Sequence, residues 1–141
     1  MNNLAKKLDD DSAIQEIGTV TGVADTRADG RWSWVTTSHG DYHARQALSC
    51  LVAPVAGDRV LVASSPAGSS WVLAVLERDG DEEPCITAPG GLAVRLPRGR
   101  FTVAAEGVEM VASKDVSLTS GELRVHAQEG RVVLHTLSLL G

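Results

Sequence analysis

Residues 92–136 repeat one pattern six times: short segments in which every second residue is apolar or small, separated by glycine or charged residues. The segments start at residues 92, 101, 108, 116, 123 and 132, so they recur about every eight residues. An alternation of period 2 indicates a strand with one buried face. The pattern predicts six short strands joined by turns, with inward residues Leu92, Val94, Leu96, Phe101, Val103, Val108, Met110, Val116, Leu118, Leu123, Val125, Val132 and Leu134.

The apolar faces of these strands need cover, and no amphipathic helix follows them in the sequence. A unit of about eight residues is too short for one turn of a single-chain β-helix, which needs about 18 or more. Three copies around one axis would supply about 24 residues per turn. We therefore predict an intertwined homotrimeric β-prism over residues 92–136. A meander that folds back as half of a β-sandwich is the alternative for the same alternation.

The region before the repeat has a different sequence pattern. Turns rich in glycine, proline and aspartate separate five strand-like runs, at residues 17–24, 31–38, 42–52, 59–64 and 70–77. Five short strands without a long helix predict an OB-like barrel over residues 17–79. The fold class is therefore all-β, with a barrel followed by a prism.

Three shorter segments complete the predicted organisation. Residues 1–16 form an N-terminal arm, in which Leu4 and Leu8 either dock on a partner or belong to a frayed or locally packed terminus. Ser12 and Gln15 have the spacing of a capping box, which predicts one or two helical turns there. Residues 80–91 contain two prolines and three glycines and are predicted to form a linker, which is compatible with a structured crossover into the first strand of the repeat.

The C-terminal residues 137–141 are apolar and uncharged, and we name them the tip. In a trimer their leucines would gather at one end, and an exposed apolar patch of this kind is typical of a binding surface. The predicted partner-binding residues are Thr136, Leu137, Leu139 and Leu140. The alternative is that the leucines fold back and plug the prism.

Composition excludes several classes of function. The net charge of −5 argues against nucleic-acid binding, whose affinity depends on Lys and Arg. No apolar run approaches 18 residues and no secretory signal is present, so we expect a cytoplasmic protein that does not span a membrane. Cys50 and Cys85 lack a metal spacing and fit a reducing compartment, although an interchain disulfide stays open.

Motifs for catalysis or cofactor binding are also missing from the sequence, so we expect a non-enzymatic protein without a cofactor. His39 and His43 straddle a turn, where their spacing says little about a metal. His126 and His135 point outward in the predicted register of the prism; in the alternative register, shifted by one residue, they would stack on the threefold axis, where three imidazoles could bind a metal. Arg95, Arg98 and Arg100 form a basic cluster in the sequence. This cluster is either a positively charged collar that binds an acidic partner or a face exposed to solvent.

The tryptophans decide between two further interpretations. Trp32 and Trp34 lie two residues apart and should face the same side of one strand. We expect them in the barrel core or in an interface, because the acidic chain lacks the basic surroundings of a base-stacking platform. A small-ligand or carbohydrate-binding module, with a pocket near Trp32, Trp34 and Trp71, is the alternative that needs no trimer.

Two sequence segments resemble a known family. Residues 57–62, after a turn that contains proline, and the apolar residues 71–76 resemble the closing strands of the OB domain in phage baseplate spikes and in VgrG, the type VI secretion spike protein. In those proteins a trimeric prism of octad repeats follows the OB domain. The chain over about residues 17–136, including residues 47–54, resembles small VgrG-like proteins encoded with type VI secretion clusters.

The resemblance implies a function and partners. The chain lacks the large N-terminal region with which VgrG caps the secretion tube, so the resemblance implies an extension or adaptor seated on a spike. Its implied partners are a VgrG-like spike trimer and, at the tip, a PAAR-repeat tip protein or effector. Such an adaptor could be exported with the spike or stay behind as a loading factor.

Overall fold

The computed structural model of the protein describes residues 12–26, 30–88 and 90–138. The chain divides into two units, Met1–Arg95 and Leu96–Gly141. The described part of the first unit contains the strands β1 (Ile14–Thr26), β2 (Gly30–Thr37), β3 (Gly40–Gln46), β4 (Arg59–Ser64) and β5 (Ser70–Glu77). The predicted all-β class and five-stranded unit are confirmed, and β4 and β5 have the predicted bounds.

The third strand is shorter than predicted. It ends at Gln46 rather than at residue 52, because a turn follows in which the Cys50 N–H donates to the Ala47 carbonyl at 3.0 Å. The Gln46 side-chain amide donates to the Cys50 carbonyl and closes the same turn. Leu48, at the exposed corner of this turn, is 84% exposed. Its apolar side chain therefore gave a false strand signal.

The first strand is longer than predicted. It begins at Ile14, so residues 14–16 of the predicted arm belong to the strand, and Gln15 pairs with Ala63 of β4. The predicted helical turn at Ser12 and Gln15 is wrong because pairing with β4 overrides a local capping signal. The arm residues Leu4 and Leu8 lie outside the described residues.

The five strands form one sheet that closes on itself in the order β1-β2-β3-β5-β4. The long strand β1 makes this closure possible, since residues 14–19 pair with β4 and residues 19–26 pair with β2. A β-bulge between Val20 and Gly22 interrupts the β1–β2 register where the strand passes from one partner to the other. The ring is completed by a short parallel contact between β3 and β5, in which Arg45 pairs with Trp71 and Gln46 with Val72.

The interior of the barrel is small and is filled by short side chains. It contains Val20, Val35, Ala44, Cys50, Val60, Val62 and Val72, each no more than 5% exposed. Along β2 the buried Ser33 and Val35 alternate with Trp32 and Trp34. The indoles therefore lie on the outer face, so the barrel core, one of the two locations expected for them, is wrong, and an interface stays a prediction.

Residues 85–87 pair with residues 51–53, in the loop after β3, so this part of the predicted linker is structured. The Ala53 N–H donates to the Cys85 carbonyl and the Thr87 N–H donates to the Leu51 carbonyl, both at 2.9 Å. The guanidinium of Arg78 also donates to the carbonyls of residues 82 and 83.

The second unit has a different organisation. Its described residues, 96–138, are extended and bend at residues 97–99, 106, 113–114, 121, 128–129 and 135. Within this range no two segments of the single chain pair as strands. The chain therefore does not form the sandwich-like meander that was the alternative to the prism.

Candidate functional site

The repeat presents an apolar surface along its whole described length. Every predicted inward residue is between 53% and 79% exposed in the single chain: Leu92, Val94, Leu96, Phe101, Val103, Val108, Met110, Val116, Leu118, Leu123, Val125, Val132 and Leu134. Soluble monomers rarely leave so many large apolar side chains on one contiguous segment. We name this set the repeat face, and it is the first candidate binding surface.

The backbone of the repeat changes direction at a regular interval. The bends fall at or next to the turns that glycine and charged residues predict, as at Gly99 (φ 93°) and near residues 106, 114, 121 and 129. Stretches of five or six residues lie between the bends, and apolar side chains alternate along their sequence. The bends therefore recur with the same period of about eight residues as the sequence repeat.

The tip is described only in part. Thr136 is exposed and Leu137 is 64% exposed. Leu139 and Leu140, which complete the predicted partner-binding residues, lie outside the described residues. The basic cluster Arg95, Arg98 and Arg100 and the histidines His126 and His135 are exposed.

A second candidate surface lies on the outside of the barrel, on β2 and β3. The imidazole of His43 stacks on both indoles of β2: its centroid is 4.5 Å from that of Trp32 and 4.8 Å from that of Trp34. The prediction that Trp32 and Trp34 face the same side of one strand is confirmed. Trp34 is 44% exposed, so the stack is open to solvent.

Two of the stacked rings, Trp32 and His43, also line a pocket. The guanidinium carbon of Arg45 lies 4.9 Å from the centroid of the Trp32 ring, within the range of a cation–π contact. A pocket of about 210 Å³ is lined by Trp32, His43, Arg45, Gly68, Ser69, Ser70 and Trp71. The alternative prediction of a pocket near Trp32, Trp34 and Trp71 is right in its position, but Trp34 does not line the pocket, and the sequence did not indicate the contributions of His43 and Arg45. The register of the β2–β3 hairpin, which pairs Trp32 with Arg45 and Trp34 with His43, is the signal that could have found them.

His39 has a partner other than a metal. Its Nδ1 lies 2.5 Å from Oε1 of Glu16, and the Thr37 hydroxyl donates to the same oxygen at 3.2 Å. The hydrogen bond from Tyr42 lowers the pKa of Glu16, outweighing the opposite effect of burial, and the bonds from His39 and Thr37 add to it. The same bond to Glu16 raises the pKa of Tyr42. These contacts fasten β1 to the β2–β3 hairpin.

Asp58 and Arg78 form a buried ion pair. The Arg78 Nε and a terminal nitrogen donate to the two carboxylate oxygens of Asp58 at 2.8 and 2.7 Å, and the Val55 N–H donates to the same carboxylate at 3.0 Å. Arg78 also donates to the Ala53 carbonyl at 3.0 Å. The pair therefore joins the start of β4, the loop before it and the end of β5, which is a structural role.

The residues that the structure describes supply neither a metal-binding cluster nor a membrane-spanning helix. They bring together no three His, Cys, Asp or Glu residues that could hold a metal ion. Nor do they form a helix with the length and apolar character needed to cross a membrane. Cys50 is buried, Cys85 is exposed, and both are free thiols.

The fold and the two surfaces define a class of protein: a small all-β protein with a closed five-stranded sheet and a long, exposed apolar repeat. The chain belongs to the DUF3540 family, since the family model described as "Protein of unknown function (DUF3540)" matches residues 23–141. The match contains the repeat face and the residues that line the pocket. No curated protein matches the chain.

Proposed function

We propose that the protein is a homotrimer in which residues 92–136 of three chains intertwine as a β-prism. The observation that carries this proposal is the exposure of the repeat face on a segment that bends about every eight residues. Burying a Val, Leu or Met side chain contributes about 1.5 to 3 kcal/mol, so covering this face would stabilise the assembly strongly. Identical copies are the natural cover, because each copy presents the same alternation at the same height along a shared axis.

A trimer fits the repeat better than a dimer. Two segments of about eight residues would supply about 16 residues per turn, which falls short of the roughly 18 needed to enclose a core, and three supply about 24. The backbone N–H and C=O groups of the extended segments would then pair between chains. In this proposal the barrel is of the OB type, which its five strands and their closed order support.

The assembly acts as a structural adaptor of a type VI secretion spike rather than as an enzyme. The resemblance of residues 57–62 and 71–76 to the OB domain of VgrG, followed here by an octad repeat, supports this assignment. The barrel unit contacts a VgrG-like spike trimer, and the tip presents Thr136, Leu137, Leu139 and Leu140 to a PAAR-repeat tip protein or an effector. The protein is cytoplasmic before secretion. It is then either exported with the spike or left in the cytoplasm as a loading factor.

The solution mass tests the trimer. Light scattering on a size-exclusion column should give three times the 14.8 kDa of one chain, and the value should survive dilution. A mass of one chain at every concentration would overturn the prism and the adaptor built on it.

A second experiment tests the tip separately. Leu137→Asp should leave the trimer intact and abolish binding to a purified PAAR-repeat protein, because a charge on the apolar patch must be desolvated on contact. Thr119→Asp places the same charge in the middle of the repeat, on the outward side of the alternation, and should bind like the unmodified protein. Loss of the trimer in Leu137→Asp would show instead that the leucines plug the prism.

A further inference from the structure

The pocket on the outer face of the barrel is lined by aromatic and charged residues that have no role in the proposed adaptor function. Arg45 of β3 is the direct neighbour of Trp32 in β2 and of Trp71 in β5, so the three residues form one row across three strands. The guanidinium is therefore flanked in the sheet by an indole on each side. Both indoles and Arg45 line the pocket.

The aromatic wall of the pocket is held in place before any ligand arrives. His43 stacks on Trp32 at 4.5 Å with the two ring planes 21° apart, and on Trp34 at 4.8 Å. These contacts restrict the rotation of the Trp32 side chain. A preorganised wall lowers the entropy that a ligand loses when it binds.

The opposite wall is a preformed turn between β4 and β5. The Ser65 N–H donates to the Ser69 carbonyl at 2.8 Å and the Gly68 N–H donates to the Ser65 carbonyl at 3.0 Å. Gly68 has φ of 91°, a conformation that favours glycine. Ser69 of the turn and Ser70 at the start of β5 line the pocket, and the Ser70 hydroxyl lies 3.0 Å from that of Ser64.

Size and charge restrict the ligand. The volume of about 210 Å³ is below the range of about 300 to 1,000 Å³ for drug-sized ligands, and it suits a single ring. One guanidinium matches one carboxylate, in a geometry that allows two parallel hydrogen bonds. A polyphosphate chain would need a basic groove, whereas this pocket supplies one arginine in a protein of net charge −5.

We propose that this pocket binds one carboxylated sugar ring, such as a uronate unit of an acidic glycan. His43 and the Arg45 guanidinium already lie against the ring of Trp32. The C–H groups on one face of a pyranose carry partial positive charge and pack on the electron-rich face of Trp71. The carboxylate pairs with Arg45, and the ring hydroxyls exchange hydrogen bonds with Ser69 and Ser70. The site lies within the barrel unit and does not depend on the trimer.

Tryptophan fluorescence gives a direct test, because the three tryptophans of the chain are Trp32, Trp34 and Trp71. The full-length protein is titrated with glucuronate and galacturonate trisaccharides up to about 10 mM, within the range of weak sugar binding. We expect saturable binding of at least one of the two uronates. Its uncharged methyl ester should bind at least about tenfold more weakly than the acid.

Variants assign the charge contact. Arg45→Gln should weaken uronate binding by about tenfold or more and leave binding of the ester unchanged. Arg59→Gln removes an exposed arginine that pairs with Glu77 on another part of the barrel, and should bind like the unmodified protein. Circular dichroism confirms that both variants are folded.

Three results would overturn the proposal. The first is the absence of a saturable signal with either uronate. The second is equal affinity for the acid and its ester, because Arg45 would then play no part in recognition. The third is tighter binding of a dT oligonucleotide than of either uronate, which would identify the surface as a base-stacking platform.

Discussion

Asp58 is 1% exposed, and its carboxylate accepts three hydrogen bonds, two of them from Arg78. Asp58→Asn keeps the size of the side chain but removes its charge and leaves the Arg78 guanidinium without its ionic partner. Breaking a buried pair in this way costs about 3 to 5 kcal/mol, so we expect a loss of about 3 kcal/mol or more. Urea unfolding followed by tryptophan fluorescence measures it, since the three tryptophans are in the barrel unit.

Arg59→Gln is the matched control for this prediction. Arg59 pairs with Glu77 at 2.8 Å, but these side chains are 52% and 61% exposed. Exposed pairs contribute less than about 1 kcal/mol. Equal losses in the two variants would contradict the structural role assigned to Asp58.

The same carboxylate predicts a dependence of stability on pH. Burial alone would raise the pKa of Asp58, but the hydrogen bonds from Arg78 and the Val55 N–H outweigh it and hold the pKa below its ordinary value. A carboxyl with a depressed folded pKa contributes its full stability above the unfolded pKa, about 3.9 for Asp, and loses it as pH falls through the folded pKa. The difference in unfolding free energy between the unmodified protein and Asp58→Asn should therefore be constant from about pH 5 to 7 and shrink below about pH 4. A difference that does not change with pH would contradict the depressed pKa.

At the scale of the element, β1 depends on a glycine at the point where it changes partner. A Cβ on Gly18 would lie 2.5 Å from Val35 Cγ1, and 2.8 Å from the Thr36 carbonyl oxygen. Backbone atoms of β2 cannot move away without breaking the β1–β2 pairing, so Gly18→Ala should destabilise the barrel by about 1 to 3 kcal/mol. Urea unfolding followed by fluorescence measures the change.

Gly22, in the same strand, provides the comparison. A Cβ there would lie 3.5 Å from Cε3 of Trp34, which is ordinary van der Waals contact. Gly22→Ala should therefore be tolerated with a change of less than about 1 kcal/mol. If Gly22→Ala were the more damaging of the two, the close approach at Gly18 would not be what limits β1.

Period and turn chemistry predicted the elements themselves. The bounds of β4 and β5 followed from alternation between the turns at residues 53–58 and 66–68, and the glycine and charged residues of the repeat marked the bends correctly. These features are local, so the sequence carries them directly. The end of β3 was missed because Leu48 is apolar in a turn, and the start of β1 because its partner, β4, is more than 40 residues away.

The sequence did not reveal which face of β2 is buried. Alternation separates Trp32 and Trp34 from Ser33 and Val35 but does not say which pair is inside, and hydrophobicity alone favours the tryptophans. A closed ring of five strands has an interior too narrow for indole rings, and valine, alanine and serine fill it. The pocket therefore depends on closure, and so does the row of Trp32, Arg45 and Trp71, which brings together three strands.

At the scale of the whole molecule, the closed sheet and the repeat face differ in where their apolar side chains are buried. The barrel buries its own core and pairs its own strands. The repeat leaves Leu118 at 72% and Val125 at 79% exposed in the single chain, and in the proposed prism its stability comes from the other copies. Disrupting the contacts between copies should therefore leave the barrel folded.

Leu118→Asp tests this division, with Ser117→Asp as its control on the adjacent residue of the other face. In the proposed prism the three carboxylates that Leu118→Asp introduces would meet near the axis, where like charges and desolvation oppose burial. The three that Ser117→Asp introduces would face water.

Light scattering should show Leu118→Asp as a single chain and Ser117→Asp as a trimer, and both variants should keep the tryptophan emission of the unmodified barrel. A stable Leu118→Asp trimer would place Leu118 outside the core and require the register of the repeat to shift by one residue. Loss of native emission in Leu118→Asp would show that the barrel cannot fold without the prism.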